Sequence, residues 1–231
     1  MRRFDGDRRA LATACEDLVI ADARKIFDAA PSSPTAVGIM RFELFAKDNP
    51  SLVSAARQLC GFGAKGLNIP HKTKETTPLA MLQALQGVLP AEALRECVPH
   101  YSLKYAYGGG GDGAMRQFND FIDAASNLPV PPRQLLLVSG SGKRQFDSVQ
   151  CLRALPSQPA IEVGVAFNPF IPERAEREKE RARLRLKLGT GRVSAVWLQL
   201  GSDTALLADG LRFLRGLESE RASTPRGPLR L

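Results

Sequence analysis

Residues 160–203, AIEVGVAFNPFIPERAEREKERARLRLKLGTGRVSAVWLQLGSD, decide the fold. An apolar run from Ile161 to Phe167 stops at Asn168-Pro169. A charged stretch of helical composition then runs to Gly189, and a second apolar run spans Val193 to Leu200. The pattern reads as strand, helix, strand. A crossover of this length joins two parallel strands through an outer helix. Asn168 and Gln199 stand where the two strands stop, and the carboxyl edge of a parallel α/β sheet is where ligands bind.

Working outward, the 231 residues are 44% hydrophobic and 24% charged, enough to bury a core within one α/β domain. No apolar run approaches the roughly 20 residues of a spanning helix, which predicts no membrane insertion. The opening MRRFDGDRRALATACEDL is Arg-rich but interrupted by Asp5, Asp7, Glu16 and Asp17. That argues against a transit peptide without eliminating a mitochondrial destination, and the expected compartment is the cytoplasm. Cys15, Cys60, Cys97 and Cys151 are scattered singly and read as free thiols, with no metal site. The net charge of +8 could suit nucleic acid, yet the basic residues of 173–187 alternate with Glu173, Glu176, Glu178 and Glu180. This is an ion-paired outer helix face, and no nucleic-acid partner is expected.

Residues 8–29 set Leu11, Cys15, Leu18, Val19, Ala23, Ile26 and Phe27 on one helical stripe, ended by Pro31-Ser32-Ser33-Pro34. An N-terminal helical extension is therefore expected over 1–32. Met40 to Phe45 alternates as a short strand that carries Glu43, and Asn49-Pro50-Ser51 opens a helix through Leu59. A carboxylate in a strand of Phe and Leu either faces water or serves a site. Further strands are expected at 66–71 and 97–102, the latter with His100, one of two histidines. Gly108 to Gly111 reads as a flexible loop before a helix at 112–125. A strand at 134–138 runs into Ser139-Gly140-Ser141-Gly142, small residues that allow a flat or anionic cofactor to approach the backbone. The spacing does not make a Walker loop. Helices are expected at 144–155 and 203–218, and 221–231 reads as a flexible tail.

Six strand-helix units without a Gly-rich dinucleotide fingerprint favour a (β/α) TIM-type barrel over a doubly wound sheet. The barrel domain is expected over 33–220, incomplete at six units.

The strand ends resemble those of the methylenetetrahydrofolate reductase family, which are FAD-binding (β/α)8 barrels. FELF at 42–45 is similar to the family's FEFFPP motif, whose Glu is the general acid, here Glu43. PHYS at 99–102 resembles PHLT, which puts His100 and Ser102 beside the flavin. VAFNP at 165–169 is similar to VAAYPE, giving Phe167 or Asn168 a flavin contact. Glu180 and Lys187 fall where the family has an acidic residue and a Lys at the cofactor. VWLQLGSD at 196–203 is similar to ITQFFFD, whose Gln binds the pterin, here Gln199. The resemblance implies FAD as cofactor, NAD(P)H as reductant, and reduction of methylenetetrahydrofolate to methyltetrahydrofolate.

There are departures. Val-Ser-Gly-Ser at 138–141 replaces the family's Leu-Arg-Gly-Asp, so the resemblance implies that Ser139, Gly140 and Ser141 line the cofactor without the carboxylate that tunes it. Pro70-His71 stands where the family has Thr-Tyr. The chain ends after unit six, and the tail cannot supply two more. The open strand edges then call for cover, from the N-terminal helix, a second copy or a different subunit. A non-catalytic descendant of the barrel, used as a binding or assembly subunit, is the alternative function. GLNIPHK at 66–72 also resembles the NVTIPHK segment of shikimate dehydrogenases, but that family's serine motif and dinucleotide loop are absent.

Overall fold

A computed structural model describes residues 41–73, 76–105, 111–139, 147–156 and 159–222. The expected N-terminal helix, Gly140, Ser141 and the end of the tail lie outside the described residues. Among the described residues six strands are present: β1 (Arg41–Glu43), β2 (Gly66–Ile69), β3 (Val98–Ser102), β4 (Gln134–Val138), β5 (Glu162–Phe167) and β6 (Val193–Leu198). All neighbours are parallel and their spatial order is their chain order. This sequential order matches successive units of a β/α barrel, whereas a doubly wound sheet reverses direction at a switch point.

The described helices are α1 (Asn49–Gly61), α2 (Pro78–Leu85), α3 (Ala91–Arg95), α4 (Gly111–Ser126), α5 (Ser148–Ala154), α6 (Arg174–Gly189) and α7 (Thr204–Ala222). Their starts follow from local chemistry. Asp48 accepts from the Ser51 amide at 2.8 Å to cap α1, with Pro at the opening of the helix. Thr77 caps α2 ahead of Pro78. Asp147 and Gln150 form a reciprocal capping box on α5, so this helix begins later than the expected 144. The short helix α3 carried no periodicity long enough to announce itself in the sequence. Helix α7 runs to Ala222, so residues 221 and 222 extend a helix where the tail was expected to start.

The helices cover one sheet face. Leu67, Ile69, Tyr101, Leu135, Leu137, Val163, Val165 and Val196 pack there against Leu52, Leu82, Phe118, Leu152, Leu184 and Leu214. Strand alternation sends the intervening residues to the other face. His100 pairs with Leu136, Leu136 with Gly164 and Gly164 with Ala195, while Ala166 pairs with Trp197. Arg41 of β1 holds its guanidinium carbon 5.5 Å from the centre of the Trp197 ring on β6. In a flat sheet, strands one and six stand about 24 Å apart, beyond the reach of both side chains. The face that no described helix covers is therefore concave, and the sheet curls as a half-barrel.

Arg41 and Trp197 fill the floor of that concavity. The Trp197 indole donates to Gln134 Oε1 at 3.1 Å, and Gln134 donates to Ser194 at 3.3 Å. Arg41 donates to Asn68 Oδ1 at 3.1 Å and pairs with Glu96 at 3.3 Å, and Arg133 also pairs with Glu96. Gly164 is required beneath the indole, because a Cβ there would lie 2.6 Å from Trp197 Nε1 and 2.8 Å from Cδ1. Gly164→Ala should cost about 1–3 kcal/mol of stability through overpacking. It should also shift the emission of Trp197, the only tryptophan. In a Trp197→Ala background the same change should cost much less, and equal costs in both backgrounds would show that the indole does not seat on Gly164.

Candidate functional site

The carboxyl edge of the concave face gathers the residues with chemistry. Glu43 ends β1, solvent-exposed, beside Asn68 of β2. His100 and Ser102 lie two apart on β3, so they share the concave face, and both are buried. Tyr101 between them turns outward and stacks on Phe118 and Phe121, with centroids 4.8 and 5.0 Å away. That packing locks the strand and so aims its two neighbours inward. His100 is only 9% exposed, and its Nε2 has no hydrogen-bond partner. Burial, helped by the positive charge of Lys72, pushes its pKa down to about 4. At neutral pH it is an uncharged imidazole with one nitrogen free for a ligand.

Lys72 follows β2. Its carbonyl accepts from the Tyr105 hydroxyl at 2.6 Å, and its ammonium sits 4.6 Å from the Phe45 ring centre just beyond β1. His71 is wedged near Tyr105 and Tyr101, with centroids 4.8 and 6.3 Å away. Neither of its ring nitrogens makes a sound hydrogen bond. Burial lowers its pKa, and the nearby Thr73 backbone only partly opposes this.

Other expected site residues stand elsewhere. Phe167 is buried in the helix layer, stacked 5.6 Å from Phe213, and only 1% exposed. Glu180 of α6 accepts from the Asn168 amide at 3.3 Å, and Lys187 donates to the Ala166 carbonyl at 3.2 Å. Both tie α6 to the end of β5 from the helix side, so these three do not join Glu43, His100 and Ser102. Asn168 uses its Oδ1 to accept from the Phe170 amide at 2.9 Å, closing the turn after β5. Ser139 bonds Ser148 Oγ at 3.3 Å, anchoring the start of α5. Gln199 is exposed just past β6, with its amide donating to the Phe167 carbonyl at 2.9 Å.

Gly164, Gln134, Arg41 and Trp197 shape the floor, and sequence reading singled out none of them. The one available signal was the lone tryptophan two residues before Gln199, on the same strand face. Cys60, Cys97 and Cys151 are free thiols, as expected. Burial raises all three pKa values, that of Cys97 to about 12, so none is poised as a nucleophile. Among the described residues no group of His, Cys, Asp and Glu is placed to hold a metal. No described helix is long and apolar enough to cross a membrane.

No protein-family model matches the chain, and no curated protein matches it. Among solved structures, a mandelate racemase/muconate lactonizing enzyme from Sorangium cellulosum is similar with a TM-score of 0.49 and 13% identity, over 78% of this chain and 44% of that one. A mandelate racemase/muconate lactonizing protein from Herpetosiphon aurantiacus gives 0.46 and 11%, over 71% and 48%. An enzyme of the same description from Roseiflexus sp. gives 0.44 and 14%, over 83% and 49%. The chain spans less than half the length of each, and none of these three is a methylenetetrahydrofolate reductase.

Proposed function

We propose that the protein binds FAD at the carboxyl edge of the half-barrel and works as a reductase of the methylenetetrahydrofolate reductase type, with NAD(P)H as reductant and a folate as substrate. The observation that carries this reading is His100: a buried neutral imidazole, turned to the concave face, with Nε2 unsatisfied beside Ser102. An orphaned buried nitrogen costs free energy unless a ligand or water completes it. A flat heteroaromatic ring edged with donors and acceptors suits it. A bound flavin would supply the hydride transfer. Glu43, exposed at the end of β1, would hold the proton for the folate nitrogen, and Gln199, across the opening just past β6, would orient the pterin by its side-chain amide.

A second reading, a non-catalytic binding or assembly subunit, draws on two other observations. Glu180 and Lys187 are engaged with backbone groups, away from the concave edge. Among the described residues β1 and β6 each pair on one side only, leaving two edges for a second copy or another subunit to cover.

Uptake of FAD separates the readings. Under the reductase reading, added FAD should lose fluorescence on binding and quench Trp197, whose ring lies on the concave face below the edge. Protein that leaves both signals unchanged sinks the flavin site and leaves the subunit reading, which light scattering or co-purification then addresses.

A further inference from the structure

The rim between β1 and β3 carries positive charge that no assigned role uses. Lys72 is held from both sides, its carbonyl by the Tyr105 hydroxyl at 2.6 Å and its ammonium over the Phe45 ring at 4.6 Å. No described carboxylate pairs with that ammonium; Glu43, on the same rim, is exposed and forms no ion pair with it. β2 and β3 are neighbours in register at Ile69 and Pro99, so Lys72 emerges past β2 alongside the strand that carries His100. His100 in turn is nine-tenths buried with Nε2 unpartnered toward the concave side. The Lys72 ammonium, just past β2, and the unpartnered His100 Nε2 on β3, if it carries the imidazole proton, are complementary to one negatively charged group.

We propose that Lys72 and His100 form a two-point site for a single oxyanion, the carboxylate or phosphate of a small ligand, at the β1–β3 rim. The ammonium supplies the charge and Nε2–H donates the directional hydrogen bond. The proximity of Lys72 disfavours the imidazolium in the empty site, and an anion between the two groups reverses that effect. The site shares His100 Nε2 with the flavin reading, but anion binding does not require flavin and is therefore testable in flavin-free protein.

The test is a titration of flavin-free protein, followed by NMR of the two histidine rings at pH 7 and constant ionic strength. Inorganic phosphate and acetate are the two probes and chloride is the control. His71→Gln removes the other histidine signal and so assigns that of His100, the affinities being read in the wild-type background. A saturable His100 shift with phosphate alone points to a phosphorylated ligand, and one with acetate alone points to a carboxylate. Either supports the site, provided that Lys72→Met weakens apparent binding by about tenfold or more, the loss expected for a charge-assisted contact. Lys72 is exposed, so its substitution should leave Tm unchanged, and Lys72→Arg should retain most of the affinity. A shift that never saturates, that chloride reproduces, or that persists at full strength in Lys72→Met overturns the proposal. Failure to bind FAD would leave every one of these outcomes readable.

Discussion

Glu43→Gln should leave FAD uptake and its reduction by NAD(P)H intact while slowing reoxidation by methylenetetrahydrofolate about 10²- to 10⁴-fold, the span of a single general acid. The split follows from the proposed chemistry, since only the folate half-reaction consumes a proton at the substrate. Glutamine keeps the shape and length of the side chain but has no proton to give at that strength. Glu43 ends β1, solvent-exposed, with no described side chain bonded to it, so its replacement should not disturb the sheet. Gln199→Ala should instead raise the folate concentration needed, with the rate at saturation less affected. Anaerobic rapid mixing of the reduced protein with methylenetetrahydrofolate reads both variants. Equal reoxidation by wild type and Glu43→Gln, or none by wild type, removes the reductase assignment and favours the binding-subunit reading.

Acidification from pH 6.5 to pH 4 should remove about 3 kcal/mol of stability through His100 alone. The buried imidazole titrates at about 4 in the folded protein, against 6.5 for an unburied one. Between those values the unfolded chain binds a proton that the folded chain refuses, so stability falls as pH falls through that window. The full penalty is reached below pH 4, and none of it remains above 6.5. His71, also lowered by burial, acts in the same direction. Asp48, held low by the Ser51 hydroxyl, and Asp209, held low by Arg181, respond at lower pH than this window. Denaturant midpoints for wild type and His100→Gln, in chloride without phosphate or carboxylate buffers, should converge on acidification. A pH slope identical in both proteins would show that His100 is not titrating from a buried neutral state.

The local patterns of the chain were enough to place six strands, because they are short runs rich in apolar residues, β2, β4 and β5 being followed within two residues by Pro, Gly or Asn, and each crossover is long enough for a helix. β4 falls on Gln134–Val138 as expected; Glu43 ends β1, Gln199 lies just past β6, and His100 sits within β3, two residues before its end. Strand parity also put His100 and Ser102 on one face, since alternation is a property of the extended backbone itself. What parity cannot say is which face is concave. Phe167 and Lys187 were both expected at the cofactor with His100, yet the curl of the sheet sends Phe167 to the helix layer, and Lys187 reaches the Ala166 carbonyl from α6. The seating of Trp197 over Gly164, and the reach of Arg41 from β1 to β6, depend on residues 33 and 156 positions apart meeting across that curl. The lowered pKa of His100 likewise comes from burial by distant segments and from Lys72, just past β2. Sequence wrote the elements, since they rest on neighbours a few residues away; tertiary packing chose the site, since burial, charge and curvature sum over the whole fold.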